Sequence, residues 1–185
     1  MTDAKEPTDK SFDSAGIAAK WWKQLNPDQG ASRGILARLR RAKTPLEIIQ
    51  EPAALDLIRR LPGENRDRVA ILAGILAFVR EDTANESVAR TIGREKFDEK
   101  ESAKMSESRF RRLLQSTDQD LLDAMRRLLR LTKGKAKIDD LSFAVLRWGD
   151  GVKKHWIFDY YNVAGLSESK TSGQPASTEA TPPTG

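Results

Sequence analysis

Arginine is the residue type through which this sequence can act on another molecule, and two windows gather it without a single acid. In Gly30–Lys43 (GASRGILARLRRAK), Arg33, Arg38, Arg40, Arg41 and Lys43 give five positive charges and no negative one. From Arg126 to Lys137 there are six Lys/Arg and again no Asp or Glu. Arg126, Arg130 and Lys133 stand there at i, i+4, i+7, on the side of a helix that its leucines leave free. Like charges at i, i+4 repel, costing a helix roughly 0.2–0.5 kcal/mol per pair. An uncompensated row of them suggests a polyanion, and the planar guanidinium fork suits phosphate because it donates two parallel hydrogen bonds. The competing reading is a solvated helix face, the usual meaning of alternating charges, but alternation is what these windows lack. Nothing matches a zinc-finger, RRM or KH pattern, so the chemistry favoured is contact with phosphates rather than reading of bases.

Other chemistry finds little footing. No P-loop, dinucleotide-binding glycine fingerprint, HExxH, GxSxG or EF-hand loop is present. The carboxylate pair Asp139-Asp140 falls at a helix start, where acids are expected for dipole and capping reasons. Cysteine is absent and His155 is the single histidine, which removes thiolate chemistry and disfavours histidine-based zinc sites. No enzyme activity, cofactor, metal or small-molecule substrate is expected.

The elements that must hold these arginines read as helices. Around the second window, Ser106 caps a helix with Phe110, Leu113 and Leu114 on one face, leaving Arg112 pointing away and Arg109 and Arg111 at the margins. Thr117 and Asp120 form a capping-box-like start for the next, with Leu121, Leu122, Met125, Leu128 and Leu129 as its buried stripe and Gly134 as its C′ stop. Around the first window, Ile35, Leu36 and Leu39 make the apolar face. Asp13 or Ser14 caps an earlier helix carrying Ile17, Trp21 and Leu25, flanked by Trp22 and ended by Asn26-Pro27-Asp28; the paired tryptophans read as core anchors rather than base-stacking platforms.

Thr44-Pro45-Leu46-Glu47 is a strong helix start, Pro52 divides that segment into Leu46–Gln50 and Ala53–Leu61, and Pro62-Gly63 closes it. Val69–Val79 is eleven apolar residues, too short for the ~20 that cross a bilayer, and predicts a central core helix begun near Asn65. Thr83–Lys104 reads as a loop with short helical pieces and sparse apolar contacts at Val88, Ile92 and Phe97, long enough for mobility. A last long helix begins at Asp139 or Asp140, with Leu141, Val145, Trp148, Val152 and Trp156 on its buried side and Gly149 and Gly151 as points of weakness.

At 185 residues with 38% hydrophobic and 32% charged, the chain suits one domain, and no Val/Ile/Thr alternation argues for a sheet. The fold class is all-α, a multi-helix bundle over 14–165 between polar, disordered tails at 1–13 and 166–185. The N-terminus lacks the apolar core of a secretory signal, so a cytoplasmic protein without membrane contact is expected. A net charge of +5 favours a nucleic-acid partner without specifying one.

Taken in order, the paired tryptophans, RGILARLRRA at Arg33–Ala42, SESRFRRLL at Ser106–Leu114, RRLLRL at Arg126–Leu131 and DLSFAVLRWGDGVKKHWIFDYY at Asp140–Tyr161 resemble the CasB family. That family is the small subunit of the type I-E CRISPR effector complex Cascade, and the likeness spans roughly Ile17–Tyr161; Thr83–Lys104 adds only SVARTIG. The resemblance implies a non-catalytic all-α bundle. It also implies guide RNA-containing Cascade subunits, target DNA and a second copy of the chain as partners, and a basic surface that holds the opened DNA. The basic positions within matching motifs are Arg33, Arg38, Arg40 and Arg41; Arg109, Arg111 and Arg112; Arg126 and Arg127; and Lys153 and Lys154. Arg130 and Lys133 join them from the acid-free row. A helical protein–protein scaffold whose arginines meet acidic protein surfaces is the alternative.

Overall fold

The apolar run Val69–Val79 sits at the centre of the computed structural model, which describes residues 10–25, 30–83 and 85–163. Asn65 starts its helix by accepting the Arg68 amide on its side-chain oxygen at 3.1 Å. The helix spans Arg66–Leu76, and every residue from Val69 to Leu76 is buried. A helix apolar all round has no face to give to water. Each large side chain so enclosed contributes roughly 1.5–3 kcal/mol relative to exposure.

Ten α-helices occur among the described residues: α1 (Lys10–Gln24), α2 (Gly30–Arg41), α3 (Pro45–Ile49), α4 (Pro52–Arg60), the central α5 (Arg66–Leu76), α6 (Val88–Ile92), α7 (Glu107–Leu114), α8 (Asp118–Leu131), α9 (Ile138–Leu146) and α10 (Asp150–Tyr161). Helices α2, α3, α4, α8 and α9 pack on α5, α1 packs on α9 and α4, and α6 packs on α10. The all-α expectation is met. The strands β1 (Glu81–Asp82) and β2 (Lys135–Ala136) pair in parallel for two residues each and fasten the end of α5 to the end of α8. No helix among the described residues is long and apolar enough to cross a membrane.

Several boundaries differ from those read in the sequence. Helix α1 begins at Lys10, ahead of Asp13 and Ser14, because extending a helix already anchored by buried Ala15, Ala18 and Trp21 costs far less than nucleating one. The rest of the expected tails, residues 26–29, and residues 164 and 165 of the expected domain lie outside the described residues. Helix α8 ends with Lys133 in the C′ position at φ 57° and Gly134 next to it at φ 81°. The amides of Lys133 and Gly134 return to the carbonyls of Arg130 and Leu129 at 3.2 and 2.7 Å, a Schellman closure. Gly134 is required there, since a Cβ would lie 2.9 Å from Cγ of Arg80.

The last long helix is two helices, broken over Arg147–Gly149, yet Val145, Trp148, Val152 and Trp156 all remain buried across the break. Lys137, not Asp139 or Asp140, occupies the N-cap of α9. The Asp140 carboxylate instead accepts the Val88 amide at 2.8 Å and so caps α6 from a distance. Thr83–Lys104 holds short helical pieces as expected, α6 and a 3-10 turn at Lys100–Ser102, but it is firmly fastened to α10. The Arg94 amide donates to the Tyr160 carbonyl at 2.8 Å, the Asn162 amide group to the Glu95 carbonyl at 2.7 Å, and the Arg94 guanidinium lies over the Tyr161 ring at 4.5 Å. Gly93 permits this approach, because a Cβ would meet the Tyr160 carbonyl oxygen at 2.3 Å.

Candidate nucleic-acid interface

Helices α7 and α8 place four of the arginines around one groove. Phe110 and Leu113 bury one side of α7, so Arg109 and Arg112, one turn apart, are left at its outer side. On α8 the buried stripe of Leu121, Leu122, Met125, Leu128 and Leu129 leaves Arg127 and Arg130 outside, again one turn apart. The two pairs face a groove of about 530 Å³, floored by Met105, Leu113, Ala124 and Leu131. Its walls are tied to the C-terminal helices: the Phe110 ring stacks on Tyr160 at 3.9 Å, the Tyr160 hydroxyl donates to the Met105 carbonyl at 2.6 Å, and the Trp148 indole N–H donates to the Ser116 carbonyl at 3.1 Å. These contacts hold the segments around the groove, α7 and the residues flanking it, against the C-terminal helices.

What matters chemically is the absence of internal neutralisation. Among the described residues no carboxylate lines this groove, and none forms an ion pair with Arg109, Arg112, Arg127 or Arg130. This includes Asp123, one turn before Arg127. Arg130 has the Phe78 ring beneath its guanidinium, at 5.6 Å. A guanidinium without a carboxylate partner keeps its donors free for an anion from outside.

The remaining expected positions divide. Arg126 is corrected outright: it is 4% exposed and not part of any outer face. Its guanidinium donates to the carbonyls of Ala42 at 2.6 Å, Leu39 at 2.8 Å and Gly74 at 3.3 Å. Two of these are the orphan carbonyls at the end of α2, so Arg126 closes that helix from across the core. Gly74 leaves room for it, since a Cβ there would meet the Arg126 Nη2 at 3.1 Å. Burial holds the Arg126 pKa below its ordinary value, with Asp123 opposing and Arg130 adding to the shift. The i, i+4, i+7 spacing with Arg130 and Lys133 misled because the row drifts around the cylinder, and Arg126 falls at the edge of the leucine stripe.

Arg38 and Arg111 are exposed but neutralised within the chain. Arg38 Nε donates to both Glu51 oxygens, at 2.8 and 2.9 Å, and Arg111 pairs with Glu107 one turn earlier on α7. Arg41 and Lys133 are exposed and line neither of the basic grooves. Lys153 and Lys154 lie on α10 over the rings of Trp148 and Phe158, at 5.5 and 6.0 Å.

Arg33 and Arg40 line a different groove, of about 580 Å³, formed by α1, α2 and the segment after α5. Lys23 and Arg80 line it with them. Sequence reading misses both: Lys23 comes directly after two tryptophans that read as core, and Arg80 reads as the mere end of the apolar run. The signal available for Arg80 is its position as the first charge after eleven apolar residues, where the chain has to emerge at the surface. Arg40 is anchored by its Nε to the Ala77 carbonyl at 2.6 Å, and burial together with the Arg80 charge lowers its pKa.

Comparison with known proteins agrees with this architecture. The model of the family described as CRISPR-associated protein Cse2 matches residues 35–161, over half of the chain. Among solved structures, CasB from Thermus thermophilus is 22% identical with a TM-score of 0.61, the match covering 80% of this chain and 97% of that one. A chain of E. coli Cascade bound to a PAM-containing dsDNA target is 18% identical with a TM-score of 0.60, covering 82% and 95%. A search of curated proteins gave no match.

Proposed function

The chain belongs to the family of CRISPR-associated protein Cse2, also called CasB, and from that premise we propose that it is a non-catalytic, cytoplasmic subunit of a Cascade-type RNA-guided complex, binding nucleic-acid backbone through the α7–α8 groove. The observation that carries this reading is the set Arg109, Arg112, Arg127 and Arg130 around one groove without a carboxylate among its lining residues. That the second structural relative is part of Cascade bound to double-stranded target DNA supports it.

Exchanging DNA–DNA pairs for guide RNA–DNA pairs is nearly balanced, so a few protein–phosphate contacts can tip it toward the opened loop without reading sequence. Each neutralised phosphate releases counterions, which makes the contribution strongly salt-dependent. Specificity then stays with the guide and stability of the opened state with the protein. The test is reconstitution of the complex with the Arg109→Ala/Arg112→Ala/Arg127→Ala/Arg130→Ala variant. Normal assembly with faster loss of the opened target is the expected result. Failure of the variant to join the complex, with unchanged target retention when it is forced in, would instead make the groove a contact for acidic protein surfaces.

A further inference from the structure

Arg111 precedes Arg112 on α7 but does not line the groove; its Nη2 donates instead to Oε1 of Glu107, one turn earlier. The other oxygen of that carboxylate, Oε2, accepts from Nη2 of Arg94 at 3.2 Å. One carboxylate thus serves two guanidinium groups, and the two are held very differently. Arg94 is 6% exposed, donates from Nη1 to the Phe97 carbonyl at 2.8 Å, and lies over the Tyr161 ring at 4.5 Å. Leaving a buried cation without its countercharge is strongly destabilising, so Glu107 and Arg94 stay together.

Arg111 is the opposite case, with 70% of its side chain exposed. Exposed pairs one helical turn apart are weak, so Arg111 can leave Glu107 with little loss. Nor does its departure strand the carboxylate, because Arg94 is still in place. Arg38 lacks that freedom. It occupies both oxygens of Glu51, whose side chain is only 15% exposed and which forms no ion pair with a second cation among the described residues. Releasing Arg38 would leave a largely buried charge unpaired. Of the two arginines neutralised within the chain, one is a fixture and the other is exchangeable.

We propose that Glu107 is an internal anion that holds Arg111 in reserve: a polyanionic strand in the α7–α8 groove draws Arg111 off the carboxylate, and Glu107 remains on Arg94. This rests on the reading of that groove as a backbone-binding site. A strand already seated on Arg109 and Arg112 of the same helix presents its next phosphate to Arg111 at high effective concentration, whereas a small free anion has to displace Glu107 unaided. The contact therefore discriminates in favour of long polyanions, a regulation of the groove that its lining residues alone do not provide.

The full chain is titrated by fluorescence anisotropy with a single-stranded oligothymidylate of about a dozen residues, at a series of salt concentrations. In Arg111→Ala, which leaves the Glu107–Arg94 pair untouched, the logarithmic salt slope should become shallower by about 0.7, the contribution of one single-strand phosphate, and affinity should fall about threefold. Glu107→Gln should bind about twofold tighter than the parent, because no internal pair has to break. Most of that gain should be lost in Glu107→Gln/Arg111→Ala. Melting temperatures check the fold of each variant, and the Arg111→Ala result decides the matter even if Glu107→Gln melts early. Parallel slopes for the parent and Arg111→Ala overturn the proposal. So does an equal gain from Glu107→Gln with and without Arg111, which would reduce Glu107 to a general negative field. Failure of the groove reading itself looks different: the variant lacking Arg109, Arg112, Arg127 and Arg130 would then bind as the parent does, and the proposal would fall with it.

Discussion

Arg126 and Arg127 are neighbours in the chain and belong to different regions of the molecule. Arg126 points inward, gives its guanidinium to three backbone carbonyls of α2 and α5, and is closed off from water. Arg127 points outward to a groove shared with three other arginines and has no internal carboxylate partner among the described residues. The difference shows that charge in a basic window is not a single quantity. One guanidinium is committed to the backbone and holds the bundle together, while the next remains available to a partner. Helical rotation of about 100° per residue separates the two uses.

The largest effect that sharpens this contrast is Arg126→Ala. Three carbonyls lose their buried donor and a cavity opens beside Gly74, so a loss of about 3 kcal/mol is expected in urea unfolding, against a change within about 0.5 kcal/mol for Arg127→Ala. Equal, small losses would dissolve the distinction. Next in size, Arg112→Ala/Arg127→Ala should weaken binding of a single-stranded oligonucleotide about tenfold at moderate salt without altering the melting temperature; a filter-binding titration decides it.

The pH dependence gives a subtler check on another inward-facing charge. Burial is the main cause that raises the Asp140 pKa, with the nearby Asp159 also raising it and the Val88 amide, His155 and Lys137 opposing. A carboxyl whose folded-state pKa lies above its unfolded value contributes stability that is complete below the ordinary aspartate range. That contribution is lost as pH rises through the raised value. Asp140→Asn keeps an oxygen for the Val88 amide, so its stability relative to the parent should grow as pH rises out of the acid range, as read by unfolding at a series of pH values. A constant difference across that window would contradict the burial argument. Smallest of all, Glu51→Gln, which unpairs the half-exposed Arg38, should cost only about 0.2–1 kcal/mol.

Much of this fold was legible because its signals are local. Thr44-Pro45 and Asn65 cap helices where the side-chain types say they should, and an unbroken apolar run could only be interior. Glycine breakage of the last helix was visible at Gly149, and Val145, Trp148, Val152 and Trp156 stay buried across it as their spacing predicts. Residues whose partners are distant in sequence were not legible. Nothing near Asp140 announces that it caps α6, and nothing near Arg126 names Leu39, Ala42 and Gly74 as its acceptors. For the candidate site, amphipathic spacing set Arg112 and Arg130 outside their helices and Arg109 at the margin of its own, while Arg127 entered only through the family resemblance. Their gathering around one groove depended on how α7 meets α8. No local pattern warns that Glu51 neutralises Arg38, a pairing between elements that packing decides, whereas Glu107 stands four residues before Arg111 on one helix, a spacing at which such a pair is expected.

The central claim is that four unpaired arginines of the α7–α8 groove meet phosphates. It is tested most directly by the dependence of single-strand affinity on salt, compared between the parent chain and the variant lacking Arg109, Arg112, Arg127 and Arg130. If each arginine neutralises one phosphate, the logarithmic slope should become shallower by about three in the variant. Parallel slopes for the two proteins would contradict the account.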